Sequence, residues 1–247
     1  MPGRPKRQLA SLGFQALATS SAASATALGR RDGRLTRDEA LAHARSIVDA
    51  TDLPVSADLE KGFGDLPEVV AETIRLAADV GLVGCTIEDA TGNPDCPLYD
   101  VGLAVERIAA VAEAARALPF RFILTARAHN FLYAAPNLEK TIRRLQDFEK
   151  AGADVLFAPG LPDLAAVGAV CEAITKPFNF MAGIKGKSFS VAELVAAGVR
   201  RISLATSLYR AAMTSLLDAA REVKDTGQFG FLHRSLTTAE LNKLMHI

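Results

Sequence analysis

The stretch VSADLEKGFGDLPEVVAETIRLAADVGLVGCTIEDA, residues 55–90, holds one complete cycle of a pattern that recurs along the chain. It opens on a short apolar run that ends in two acids, Asp58 and Glu60. Pro67 then begins a segment with its apolar residues on one face, Gly81 stops it, and a second apolar run ends in Glu88 and Asp89. Proline in the first turn of a helix and glycine just past its end are ordinary boundary signals. Two strands joined through such a helix must run parallel, because the crossover carries the chain back to the starting edge.

The cycle repeats in both directions. Strand-like runs at Gln15–Thr19, Pro54–Asp58, Gly84–Glu88, Arg121–Ala126, Val155–Ala158, Phe178–Ala182 and Arg201–Ala205 alternate with helical ones at Pro67–Val80, Leu98–Leu118, Asn137–Ala151 and Ser190–Ala197. Helices stop at Val80-Gly81, Ala151-Gly152 and Ala197-Gly198. No linker interrupts the pattern, so residues 1–247 are expected to form one domain. A helical tail over 209–247 would carry one long helix from Tyr209, a turn near Gly227–Gly230 and a short helix at Thr237–Met245. Strict alternation fits an open doubly wound sheet as well as a barrel. The placement of polar residues favours the barrel. Ser20 and Ser21, Asp58 and Glu60, Glu88 and Asp89, and Arg127 and His129 follow four different strands, and barrels build their sites from several strand ends at once. Gly62-Phe63-Gly64 lacks the third glycine and the immediate helix start of a dinucleotide fingerprint.

Composition narrows the function. Lys plus Arg and Asp plus Glu are equal at 28 each, so no global field draws the chain to nucleic acid or an anionic membrane. No apolar run approaches the roughly 20 residues that span a bilayer. Cys85, Cys96 and Cys171 have no paired spacing, which argues against a disulfide framework and points to a reducing, cytoplasmic setting. The basic start followed by Leu9–Ala18 imitates a targeting segment, but Ser11, Gly13 and Gln15 break the apolar run and Phe14–Ser21 serves as a strand leading into a polar loop.

Acids gathered on neighbouring strand ends must protonate, find a cation or bind a metal. Asp58, Glu60 and Glu88 offer hard oxygens without a nearby histidine pair, which suits Mg²⁺, or Mn²⁺, better than zinc. Arg127 at the same rim has the planar fork that grips a carboxylate, or pairs with one of these acids. Ser20 and Ser21 offer hydroxyl and N–H groups to an anion, and Asp32 reads as a turn residue. His129 is a candidate general base, but the expectation is a structural role, with the side chain pointing away behind Arg127. His43, His233 and His246 share no spacing, and Tyr99 and Tyr133 stand as loop candidates for proton transfer.

The segments ALATSSAAS (16–24), LGRRDG (28–33), VSADLEKGFGD (55–65), GCTIEDATG (84–92) and LTARAH (124–129) occur in the order and spacing of the isocitrate lyase/phosphoenolpyruvate mutase superfamily. The chain resembles it from Leu12 to Asn242. The resemblance implies a (β/α)8 TIM barrel whose last helix swaps between subunits, hence a homo-oligomer, dimer or tetramer. It implies Mg²⁺-dependent C–C or P–C bond chemistry on a small 2-oxo acid through an enolate-like species. It places Ser20 and Ser21 on the substrate carboxylate, Asp32 near the metal, Asp58 and Glu88 on the metal, and Arg127 on the substrate.

Four departures modify that picture. Ser56 stands where many members have an acid, with Glu60 as the replacement ligand. The stretch Ala90–Asp100 lacks the lyases' Lys-Cys-Gly-His loop, which argues against isocitrate cleavage, and Cys96 in it matches no lyase motif. The mutase's Lys and Asn are missing from the same loop, where Asn93 is the residue expected to reach substrate. The family's usual first strand has no counterpart in Met1–Ala10, so the chain is shorter than its kin or Met1–Gln8 supply a substitute. The leading expectation is a Mg²⁺-dependent carbon–carbon lyase or decarboxylase of this superfamily, neither a true isocitrate lyase nor a clear mutase. The alternative is a non-catalytic 2-oxo acid binding protein of the same fold. A Schiff-base aldolase would need a strand-borne lysine, and none of the strand runs contains one.

Overall fold

The computed structural model describes residues 9–133 and 136–244. Seven strands lie side by side in chain order, β1 (Leu17–Ala18), β2 (Val55–Asp58), β3 (Gly84–Glu88), β4 (Ile123–Arg127), β5 (Val155–Phe157), β6 (Phe178–Met181) and β7 (Arg201–Ser203). Every neighbouring pair is parallel, and the sheet curls into a nearly closed barrel of the expected (β/α)8 type. Among the described residues no eighth strand joins β7 to β1. Met1–Gln8, the suggested substitute, lie outside them.

Helices wrap the outside: α1 (Ser21–Ala27), α2 (Arg37–Val48), α3 (Pro67–Asp79), α4 (Val101–Arg116), the single turn α5 (Asn130–Tyr133), α6 (Leu138–Lys150), α7 (Leu164–Ala173) and α8 (Val191–Ala196). Their starts follow local chemistry. Thr36 and Glu39 close a reciprocal capping box on α2, Pro67 occupies the first turn of α3, and the Asp100, Asn137 and Asp163 side chains accept first-turn N–H groups of α4, α6 and α7. Helices α2, α3, α4, α6 and α7 each bury one stripe, such as Val70, Ile74 and Ala77 on α3.

Strand alternation sorts the side chains. Val55, Ala57 and Leu59 are buried under the helices, whereas Ser56, Asp58 and Glu60 take the opposite face, toward the barrel axis. Gly84 opens β3 because a Cβ there would stand 2.8 Å from the Ile123 carbonyl oxygen. The interior is more polar than the branched apolar layers usual in such barrels. From β7, Arg201 reaches across to the Thr125 and Ser56 hydroxyls, each at 3.0 Å, and the Asn179 amide donates to Ser203 Oγ at 3.2 Å.

Some boundaries differ from the sequence reading. The first strand shrinks to two residues, and the serine-rich stretch expected as a loop is the helix α1. Ser20 accepts from the Ala23 amide, and four alanines among the seven helical residues carry the turn onward. Leu98 pairs with Ala90 in an antiparallel bridge, so α4 starts later than expected, at Val101. Beyond β7 come α9 (Ser207–Thr226), ended by the left-handed Gly227, a 3-10 turn at Gly230–Arg234 and α10 (Thr238–Lys243). Met245–Ile247 lie outside the described residues.

Candidate active site

Alternation carries Asp58, Glu60, Glu88 and Arg127 to the C-terminal mouth of the barrel, and the register sets Glu88 beside Arg127. Arg127 Nη1 lies 3.2 Å from Glu88 Oε2 and 3.6 Å from Asp58 Oδ2, with its guanidinium carbon 5.0 Å from the centre of the Phe157 ring. Its Nε has no hydrogen-bond partner in the protein. Ser21 donates to Asp58 Oδ2 at 3.3 Å, and the Asp58 amide donates to Thr19 Oγ1 at 3.0 Å, so the segment after β1 is tied to both the side chain and the main chain of Asp58. Glu60 takes a left-handed conformation at φ 52°. Its amide donates to Asp58 Oδ1 and its carbonyl accepts from the Glu88 amide.

His129 does not point away as expected. Two residues beyond Arg127 the alternation returns to the same face, so its Nε2 comes to 3.1 Å from Glu88 Oε2, off the alignment of a hydrogen bond. Neither ring nitrogen is hydrogen-bonded, and the ring stacks on Tyr133 with centroids 5.0 Å apart. Asp89, counted with the acids in the sequence, falls on the other face. It accepts from the His129 amide at 2.8 Å and from Arg144 Nη1 at 2.9 Å, and Arg144 also donates to the Tyr99 carbonyl at 3.2 Å. Asp89 therefore clamps the ends of β3 and β4 to α6 rather than joining the cluster.

Electrostatics separates the three acids at the mouth. Burial, with Glu88 adding to it, lifts Asp58 above the ordinary carboxylate range against the pull of Arg127. Glu60 is pushed up to about 7 by burial and by the charges of Asp58, Glu88 and Asp32. Glu88 is equally buried, yet the His129 imidazole and the Arg127 guanidinium hold it below that range. The mouth thus gathers three carboxylates, of which Asp58 and Glu88 face the Arg127 guanidinium and Glu60 has no cation within ion-pair distance among the described residues.

The model of phosphoenolpyruvate phosphomutase matches residues 5–224 of the chain. The chain belongs to the phosphoenolpyruvate phosphomutase family. It is 30% identical over 250 residues to probable 2-methylisocitrate lyase 1 of Corynebacterium glutamicum, spanning 97% of this chain and 80% of that protein. It is 31% identical over 222 residues to oxaloacetate decarboxylase 2 of Pseudomonas putida W619, spanning 87% and 72%. Among solved structures, a protein of Burkholderia cenocepacia J2315 provisionally classed as a lyase/mutase superposes with a TM-score of 0.96 at 47% identity, covering 100% of this chain and 89% of that one. The expected superfamily of lyases and mutases acting on small acids is thereby borne out, and no described helix is long and apolar enough to cross a membrane.

Within this family frame, the remaining residues named from sequence scatter. Asp32 is exposed and accepts from the Gly33 amide, and it acts on Glu60 through its charge alone. Ser20 caps α1 next to Ser21. Asn93 is turned into its own loop, where Oδ1 accepts from the Asp95 amide and the Asn93 amide donates to Thr91 Oγ1. Tyr99 donates its hydroxyl to Asp65, away from the cluster. Among the described residues no three Asp, Glu, His or Cys side chains converge as a ready-made metal cage. Mg²⁺ does not require one, since it keeps several waters and binds through one or two carboxylates. The hard donors and the unmet negative charge around Glu60 fit such an ion. Sequence reasoning missed Arg107 and Arg144. The available signal was a charged residue inside an apolar helical stripe, Ala104-Arg107-Ile108-Val111 on α4 and Thr141-Arg144-Leu145-Phe148 on α6.

Proposed function

We propose that this chain, as a single barrel domain with a helical tail over 209–247, is a Mg²⁺-dependent lyase or decarboxylase acting on a small 2-oxo acid, with Mn²⁺ as the substitute ion. The observation that carries the reading is the set of Asp58 and Glu88 within 3.6 Å of one Arg127 nitrogen, on neighbouring strand ends of a family whose relatives include an oxaloacetate decarboxylase. Asp58 and Glu88 would hold the ion, with Glu60 taking the place of the acid absent at Ser56. Bound there, Mg²⁺ would supply Lewis-acid polarisation of the 2-oxo oxygen, lowering the barrier to an enolate.

The protein's own groups do the rest. Arg127 grips the substrate carboxylate through two parallel N–H donors, and its open Nε is available for one of them. Ser20 and Ser21 complete the carboxylate site, Asp32 acts at the rim beside Glu60, and Asn93 closes from its loop. When the bond beyond C3 breaks, its electron pair enters the enolate, and the departing fragment leaves as carbon dioxide from a carboxylate or, with loss of its hydroxyl proton to water, as a carbonyl compound. A proton then returns to C3. The apolar residues Leu216, Leu217, Phe229 and Leu232, exposed on the tail, support assembly with further copies of the chain, as a dimer or tetramer.

The test is turnover of a 2-oxo acid panel headed by oxaloacetate, with Mg²⁺ and with chelator. Metal-dependent loss of substrate is expected, with KM raised at least tenfold in Arg127→Lys and turnover abolished in Asp58→Asn. Unchanged kinetics in both variants would overturn the site. A second reading, a binding protein without turnover, is favoured by the inward-bonded loop around Asn93. Thermal stabilisation by Mg²⁺ plus oxo acid with no product across the panel would establish it.

A further inference from the structure

The turn after β2 is an improbable piece of backbone. Glu60 at φ 52°, Gly62 at 83° and Phe63 at 62° place three of four successive residues in the left-handed region, two of them with a Cβ. Such conformations persist only where the surroundings over-determine them. Here two buried side chains supply them: Thr73 on α3 donates its hydroxyl to the Gly62 carbonyl at 2.8 Å, and Arg107 on α4 takes three further carbonyls. Arg107 is 1% exposed, and its guanidinium donates to three main-chain carbonyls of the turn, Nη1 to Gly64 at 2.7 Å and to Asp65, and Nη2 to Lys61. The Tyr99 ring lies against it, 4.2 Å from ring centre to guanidinium carbon.

Among the described residues no carboxylate stands within ion-pair distance of Arg107. Asp65 is engaged by Lys61 Nζ at 2.7 Å and by the Tyr99 hydroxyl. A buried cation with no carboxylate in contact is costly, and an apolar residue would fill this helix face at lower cost. A planar fork reaches these three carbonyls from two separate nitrogens in a fixed geometry, whereas a lysine's three donors all spread from one atom. Tyr99 continues the connection, because its amide donates to the Asp89 carbonyl and its own carbonyl accepts from Arg144. The turn that begins at Glu60 is thereby referenced to the ends of β3 and β4.

We propose that Arg107 is a positioning residue, which locks the Lys61–Asp65 turn and so fixes the Glu60 carboxylate at the barrel mouth beside Asp58 and Glu88. The functional half rests on the reading of Glu60 as a metal-site acid. The test compares Arg107→Gln, Arg107→Lys, Tyr99→Phe and Glu60→Gln with the unmodified protein. Amide hydrogen exchange at Gly62, whose N–H donates to the Leu59 carbonyl at 2.8 Å, reads the turn directly. At least tenfold faster exchange is expected there in both Arg107 variants, with β4 and α6 unchanged and Tyr99→Phe in between. With Mg²⁺ alone as probe, apparent affinity from thermal shifts should fall in Arg107→Lys as far as in Glu60→Gln. The double variant should lose less than twofold more, whereas a merely structural arginine would give losses that multiply.

If Arg107→Gln does not fold, Arg107→Lys and Tyr99→Phe decide. Unchanged Gly62 exchange in folded Arg107→Lys, or multiplying losses, would overturn the proposal. Should Glu60→Gln by itself leave the Mg²⁺ response untouched, the metal role of Glu60 fails instead, and Gly62 exchange still decides whether Arg107 holds the turn.

Discussion

Replacing Arg144 by Met keeps most of the side-chain volume and removes the charge that faces Asp89 at 2.9 Å. Asp89 is 2% exposed and Arg144 9%, so water does not take over the lost partner, and the carboxylate keeps only the His129 amide. Breaking a buried pair from one side costs about 3–5 kcal/mol. Set against a total stability of about 5–15 kcal/mol, that is a large share. At about 2–4 °C per kcal/mol for a chain of this size, the midpoint of thermal unfolding should drop by about 6–20 °C. The pH dependence has a definite sign. Burial already raises the Asp89 carboxyl above its ordinary range against the pull of Arg144, and loss of Arg144 raises it further. An acid with a raised native pKa holds its proton better folded than unfolded, so its stability is present at low pH and is lost as pH rises through the folded value. The gap between the two proteins should therefore narrow from pH 8 to pH 5, and Asp89→Asn in the Arg144→Met background should recover most of the loss. Thermal unfolding by circular dichroism at fixed protein concentration measures both. A loss below about 1 kcal/mol, or a gap that stays constant on acidification, would refute the assignment of this pair as a buried clamp.

Glu60, lifted to about 7, should show a carboxyl ¹³C titration centred there. Because its folded pKa is raised, unfolding midpoints should climb as pH falls from 8 to 6, and Glu60→Gln should flatten that slope. Gly62→Ala should destabilise by about 1–3 kcal/mol in urea unfolding, since φ is 83° and the new methyl would meet Val70 Cγ1 at 2.4 Å. Light scattering on a Leu216→Glu, Leu217→Glu double variant should report a smaller particle than the unmodified protein, with far-UV spectra unchanged; the same mass in both would remove the tail from assembly.

The barrel was legible because its signals are local. Glycine stops end helices ahead of three of the strands, polar rim residues follow four, and the seven runs read that way correspond to the seven observed strands. The cluster of Asp58, Glu88 and Arg127 followed from period two and parallel register. The same rule, carried two residues further, would have turned His129 toward Glu88 and Asp89 away from it. Arg107 and Arg144 were illegible for a different reason. Arg107's partners are main-chain carbonyls of Lys61, Gly64 and Asp65, and Arg144 joins the Tyr99 carbonyl to an Asp89 carboxylate 55 residues away; the direction of a carbonyl and the meeting of distant side chains depend on tertiary geometry that residue types do not encode. Asn93 was misjudged because asparagine serves a loop's own turn as readily as a ligand, and the Asp95 amide lies only two residues away.

Arg201 gives the barrel an internal tie. With no ladder joining β7 to β1 among the described residues, the cylinder is a split ring, and a split ring opens by splaying its two lips. The guanidinium spans from one lip to Ser56, one strand in from the other, while also holding Thr125 on the far wall. Splaying therefore breaks both bonds at once, so the seam would open as a single event rather than fraying residue by residue. Ser56, whose lack of charge first stood out as a gap among the acids, is also the anchor that keeps this ring shut.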